Sequence, residues 1–305
     1  MAILTPKRRE TLRWVFTGPD GIRAGWSILI FLAVFAASAF ILGGIIHLFH
    51  KAPPRTPGEQ SAIGLLIGQG IASLLLVFTM AVMGRIEKRP FWSYGLTPRN
   101  GLALFGWGAV CGFGLLSVLV GALYAGGWLV FDGTALHGPS ILTNGLLLGA
   151  GFFFVGVSEE LTFRGYILST MQRGFGFWPA AVVSSLIFAA AHMGNGGESV
   201  VGIGQVFVAG MLLSALLRIT GSLWLSIGWH AAWDWAQSFF YGTADSGQMF
   251  KGHFLISHAV GNAQLSGGAT GPEGSLIATP ILIGGLALMV LAYRGRGTPS
   301  ALAAA

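Results

Sequence analysis

The chain is a succession of apolar stretches, each roughly 20 residues long and bounded by charges, proline or polar glycine-rich turns. That length suits helices crossing a hydrocarbon core of about 30 Å at about 1.5 Å per residue. Only 9% of the 305 residues are charged and 53% are hydrophobic, whereas a soluble domain carries about 25% charged residues. The spacing predicts an all-α polytopic membrane helix bundle. It has about eight transmembrane helices, at approximately 24–48, 61–84, 101–130, 141–172, 178–197, 200–218, 222–242 and 275–293. The whole of 1–305 reads as one transmembrane helical domain. The segment 243–274 is the one long polar loop, rich in glycine and serine and holding His253 and His258. It is a candidate gate on the outer side.

The first stretch has features of a cleaved leader. Lys7, Arg8, Arg9 and Arg13 precede it, and it contains Ala37-Ser38-Ala39. Its apolar run continues through Phe40, Ile41 and Leu42, which favours a retained helix. The net charge of +6 comes from basic residues at the ends of the stretches. Topology accounts for it, and no aromatic-interleaved basic patch points to nucleic acid. With eight spans and both termini in the cytoplasm, 14 basic residues, Arg164 among them, fall on the cytoplasmic side. Lys51, Arg55 and Lys251 fall outside. This asymmetry is what the positive-inside rule expects. Cys111 is the sole cysteine, which excludes an intramolecular disulfide and a cysteine metal site.

Ionisable groups inside a span are costly and mark function by default. Glu159, Glu160 and Asp234 are the acids within apolar stretches, and His192 and His230 are the histidines well inside them. Glu160 and Arg164 stand four apart and share a helix face. Their plainest role is a structural ion pair. Glu159 points about 100° away on the same helix and keeps no such partner. His192 closes the run Phe188-Ala189-Ala190-Ala191-His192. A helix-to-helix hydrogen bond is its ordinary role. His230 and Asp234 again share a face, so the acid can orient the imidazole or both can reach one ligand.

Depth groups these residues. Glu159 and His192 are equidistant from the turn at 174–179, roughly 20 Å along antiparallel helices. His230 and Asp234 lie roughly 12–18 Å into their own helix from the same side. The four therefore share one layer. An unpaired buried carboxylate is suited to take and return a proton. A nearby histidine can share the water it activates, and a second histidine with a carboxyl partner can stabilise an oxyanion. This is the outline of peptide hydrolysis by activated water. No His-Glu-x-x-His, Gly-x-Ser-Gly or Gly-x-Gly-Asp motif offers another route.

At Glu159-Glu160…Arg164, Phe188…His192 and His230…Asp234 the sequence resembles the CAAX prenyl protease and bacteriocin-processing (CPBP, or Abi) family of intramembrane proteases. The likeness is close over about 140–242, the family's protease core. It implies an eight-helix bundle whose cavity opens to the cytoplasm. It further implies that Glu159 and His192 activate water, that His230 and Asp234 form the oxyanion site, and that Glu160 and Arg164 are structural. Eukaryotic members have asparagine where this chain has Asp234. An ionised Asp234 would oppose an oxyanion, so it is protonated, orients His230 or binds a metal. No cofactor is expected, although two histidines and two carboxylates could ligate zinc.

The implied substrate is a membrane-embedded or membrane-associated protein or peptide, and the implied location is a cell membrane, with loops and composition of bacterial inner-membrane type. A metal-dependent protease, a non-catalytic immunity or scaffold protein and a transporter remain alternatives.

Overall fold

The computed structural model describes residues 14–19, 21–49, 60–97 and 99–293. The basic residues at 7, 8, 9, 13, 51, 55, 294 and 296, and His50, lie outside the described residues, as do both termini. After a short β1–β2 ladder (Thr17–Gly18 with Gly21–Ile22) come α1 (Ala24–Phe49), α2 (Ala62–Glu87) and α3 (Gly101–Ala125). A continuous helix, α4, then runs from Pro139 to Phe175. It is followed by α5 (Phe177–His192), α6 (Val200–Thr220), α7 (Leu223–Trp235, continued as π-helix over Ala236–Phe240) and α8 (Ala278–Tyr293).

Local chemistry sets many of these ends. The Ser61, Ser199 and Ser222 hydroxyls accept from the backbone N–H groups of Gly64, Gly202 and Trp224, capping α2, α6 and α7. Gly221, at φ 67°, closes α6 in the left-handed region that glycine enters freely.

Five helices are long and apolar enough to cross a membrane: α1, α2, α3, α4 and α6. α5 and α8, at 16 residues each, are shorter apolar helices. Large apolar side chains cover the outer surface, among them Phe40, Leu102, Leu74 and Val200. In water such a surface would be a very large exposed patch. Against lipid it is the expected solvent-facing side. α6 is the most buried of the five spans and α1 the least. Around α6, Leu212, Leu213 and Leu216 pack with Leu116, Leu119 and Leu123 of α3 and with Trp229 and Trp233 of α7.

The third apolar stretch ends earlier than expected. α3 stops at Ala125, and Leu129–Thr134 is a strand, β3, paired antiparallel with β4 (Leu255–Ala259), inside what reads as a polar loop. Helix α5 likewise ends at His192 rather than near 197.

The two ends of the bundle differ in charge. One end gathers the start of α1, the α2–α3 and α6–α7 connections and the turn between α4 and α5. It holds Arg23, Arg85, Lys88, Arg89, Arg99, Arg173 and Arg218. Glu87, which lies beyond the stretch expected at 61–84, has its side chain covered there, accepts from Tyr166 at 2.9 Å and lies 3.7 Å from both Arg89 and Arg173. At the other end Lys251 is the only lysine or arginine among the described residues. Arg164 belongs to neither end. It is wholly buried in mid-bundle, which corrects its count as a cytoplasmic charge.

Candidate active site

Helix α4 changes from α to π winding over Leu161–Leu168, directly after Glu159 and Glu160. α7 does the same at Ala236, two residues after Asp234. Such π segments widen a helix at the cost of weaker backbone bonds and occur often at functional sites.

Glu160 and Arg164 form the expected pair at 2.9 Å, with both side chains fully buried. Arg164 also lies over the Phe188 ring at 4.4 Å. The pair is not only structural, because the same Glu160 oxygen lies 2.9 Å from His230 Nδ1. Glu160, rather than Asp234, therefore orients the His230 ring. With a carboxylate on Nδ1, that nitrogen carries the hydrogen and Nε2 is aimed elsewhere. Nε2 lies 3.5 Å from Asp234 Oδ2 and 3.6 Å from Glu159 Oε2. Both separations are longer than a hydrogen bond and suit a small group held between them. His192 Nδ1 donates to the Phe188 carbonyl at 2.9 Å. A carbonyl only accepts, so in the neutral ring Nε2 is left as an acceptor.

Glu159, His192, His230 and Asp234 all line one cavity of about 280 Å³. The shared layer expected from the sequence is thus a shared cavity. Phe188 is not on its wall; its ring packs behind, 4.6 Å from His192 and 6.1 Å from His230. Six polar groups absent from the sequence reading complete the lining: Gln60, Gln69, Asn195, Asp245, Ser246 and Gln248. Most sit in connections, where hydropathy gives no signal, although Gln69 and Gln60 interrupt or precede an apolar run. His137, His253 and His258 stay apart from the cavity; His258 pairs with Asp132 on the β3–β4 ladder at 2.7 Å.

Among the described residues, no group of three or more His, Cys, Asp or Glu side chains is arranged to hold a metal ion.

The cavity rim comes from the α1–α2, α5–α6 and α7–α8 connections, at the end poor in basic residues. A cavity open to the cytoplasm, as the family likeness implies, and a cytoplasmic basic end, as the charge rule implies, do not agree in this structure.

Fold and site together describe a multi-pass helical membrane protein with a carboxylate–histidine cavity among its helices. Residues 140–236 match the family described as type II CAAX prenyl endopeptidase Rce1-like. The matched stretch is about a third of the chain and holds every motif that carries the likeness, so in this stretch the chain is similar to a family of membrane proteases. No curated protein and no solved structure matches the chain.

Proposed function

We propose that this protein is an intramembrane endopeptidase of glutamate type that hydrolyses a peptide bond in the cavity. The reading is carried by one observation: Glu159, His192, His230 and Asp234, from three helices, line a single cavity within the segment that matches the protease family.

Glu159 takes a proton from a water that also hydrogen-bonds to His192 Nε2. The hydroxide forms a bond to the carbonyl carbon, and the carbonyl electron pair moves onto oxygen. His230, with hydrogen on both nitrogens, donates from Nδ1 to Glu160 and from Nε2 to that oxyanion. Asp234, as the neutral acid, donates the second hydrogen bond. When the intermediate collapses, the carbon–nitrogen bond breaks and Glu159 returns its proton to the leaving amine. Groups placed in advance around a developing oxyanion are worth about 10²–10³ in rate each.

The eight helices then serve as one domain, 1–305, with the protease core at 140–242 and both termini in the cytoplasm of a bacterial-type membrane. No metal or other cofactor enters. The test compares wild type with Glu159→Gln in nanodiscs against membrane-peptide substrates, with metal content read on the same sample. Cleavage that drops roughly 10²–10⁴-fold in the variant, as loss of a general base predicts, with no stoichiometric metal, is the expected result. Equal cleavage by both would overturn the reading. Cleavage that stops on chelation and returns with zinc would replace it with the metal-dependent one.

A further inference from the structure

We propose that the cavity opens on the non-cytoplasmic face of the membrane and receives an extended segment of an exported or membrane-inserted polypeptide from that side. The substrate half of this inference rests on the protease reading above; the direction of opening does not.

The direction follows from two facts that are independent of catalysis. Seven lysines and arginines crowd one end of the described bundle and a single one, Lys251, marks the other. Short connections rich in Lys and Arg are retained on the cytoplasmic side. The cavity mouth, formed by Gln60, Asn195, Asp245, Ser246 and Gln248, is at the end with the single basic residue. The catalytic layer is therefore reached from outside, past the 243–274 segment.

The walls fit an extended chain rather than a carboxyl terminus. The Gln60 N–H donates to the Met249 carbonyl at 2.8 Å, and the Lys251 N–H donates to the Gln60 carbonyl at 2.8 Å. This edge of the mouth is thus already strand-like backbone. The carboxamides of Gln60, Gln69, Asn195 and Gln248 offer both donors and acceptors to a peptide backbone beside it. Leu65, Phe152 and Phe250 give apolar footing.

The lining contains Glu159, Asp234 and Asp245 but no lysine or arginine. A prenylated CAAX terminus ends in a free carboxylate three residues beyond its modified cysteine. That anion would find no lysine or arginine on the wall to pair with, and a charge left without a partner selects against a ligand.

The experiment uses the full chain with Cys111→Ser as background. Gln60→Cys marks the mouth. Gly174→Cys marks the opposite turn, where an added side chain meets open space. A membrane-impermeant maleimide is applied to intact and to permeabilised cells, so that labelling after permeabilisation shows that each variant is folded and reachable. In parallel, single-span reporters carry randomised segments on either the outer or the cytoplasmic flank, with Glu159→Gln as reference. The expected result is that Gln60→Cys labels in intact cells and Gly174→Cys only after permeabilisation. Outer-flank reporters are cleaved at least roughly tenfold above the Glu159→Gln background. The reverse labelling pattern overturns the inference whatever the enzyme does. Outer labelling with cleavage confined to cytoplasmic or prenylated reporters also overturns it. Outer labelling with neither library cleaved removes the protease reading, and the substrate assignment with it, while the direction of opening stands.

Discussion

At the scale of single residues the site is organised around Glu160. One of its oxygens serves both Arg164 and His230 at 2.9 Å, and all of this is shielded from solvent. A buried ion pair adds little net stability when intact, but removing one partner strands the other and costs about 3–5 kcal/mol. Arg164→Met should therefore lower unfolding stability in detergent by about that amount. The double variant Glu160→Gln/Arg164→Met should lose clearly less than the sum of the single losses, because the two groups are coupled. Additive losses would show that the pair is not an energetic unit. Asp234 tests the oxyanion role. Asp234→Asn keeps a hydrogen-bond donor and should retain cleavage within about tenfold, whereas Asp234→Ala should lose about 10²–10³. An inactive Asn variant of wild-type stability would mean that the carboxyl proton or charge, not a donor, is what the reaction needs. The sequence shows that Glu160 and Arg164 pair, because both lie on one helix. It cannot show the bond from Glu160 to His230, which depends on how α7 is rotated against α4.

At the scale of elements, the position of His230 is set by the contact of α7 with α3. Gly108 and Gly112 of α3 lie against the carbonyls of Leu225 and Trp229, and Gly228 of α7 lies against that of Phe105, so an added Cβ at any of the three would collide with backbone. Small residues four apart are how membrane helices approach this closely. Gly112→Ala should cost about 1–3 kcal/mol, as overpacking does. It should also reduce cleavage, since it displaces the backbone next to His230. Gly114→Ala, on the same helix but facing open space, should change neither. Unfolding curves and cleavage rates of the two variants check this, and a harmless Gly112→Ala would show that the helices can part without moving the site. The long helices are legible in the sequence because apolar run length is a strong signal, although five of them, not eight, are long and apolar enough to cross a membrane. The β3–β4 ladder is not. Leu129, Val130 and Phe131 continue the apolar run of α3 after Gly126-Gly127, and so short a run has no periodicity to separate strand from helix.

At the scale of the whole molecule, the mouth of the cavity is an acidic region enclosed by connections rather than helices, which is why hydropathy did not reveal it. Asp245 lines it, and Glu273 holds the neighbouring Ser246 backbone and hydroxyl. Burial first, and then the charge of Glu273, push the Asp245 carboxyl well above its ordinary value, against a smaller opposing effect from the Ser238 hydroxyl. Glu198, on the α5–α6 connection, is raised for the same leading reasons, burial and Glu273. In the unfolded chain these carboxyls release their protons in the ordinary range, while in the folded protein they hold them to higher pH. The folded state thus binds more protons, so the stability they contribute is complete below the unfolded value and is lost as pH rises through the folded one. Wild type should accordingly melt at a lower temperature at about pH 8 than at about pH 4, with the ordinary carboxylate range at the acid edge of that window. Asp245→Asn removes the leading contributor. It should melt higher than wild type at about pH 8 and indistinguishably from it at about pH 4. Melting curves of both proteins in nanodiscs at the two pH values decide the matter. Parallel pH dependence in the two would assign the effect to Glu198 and to acids elsewhere, leaving Asp245 as a polar wall of the cavity with no part in how firmly the mouth is closed.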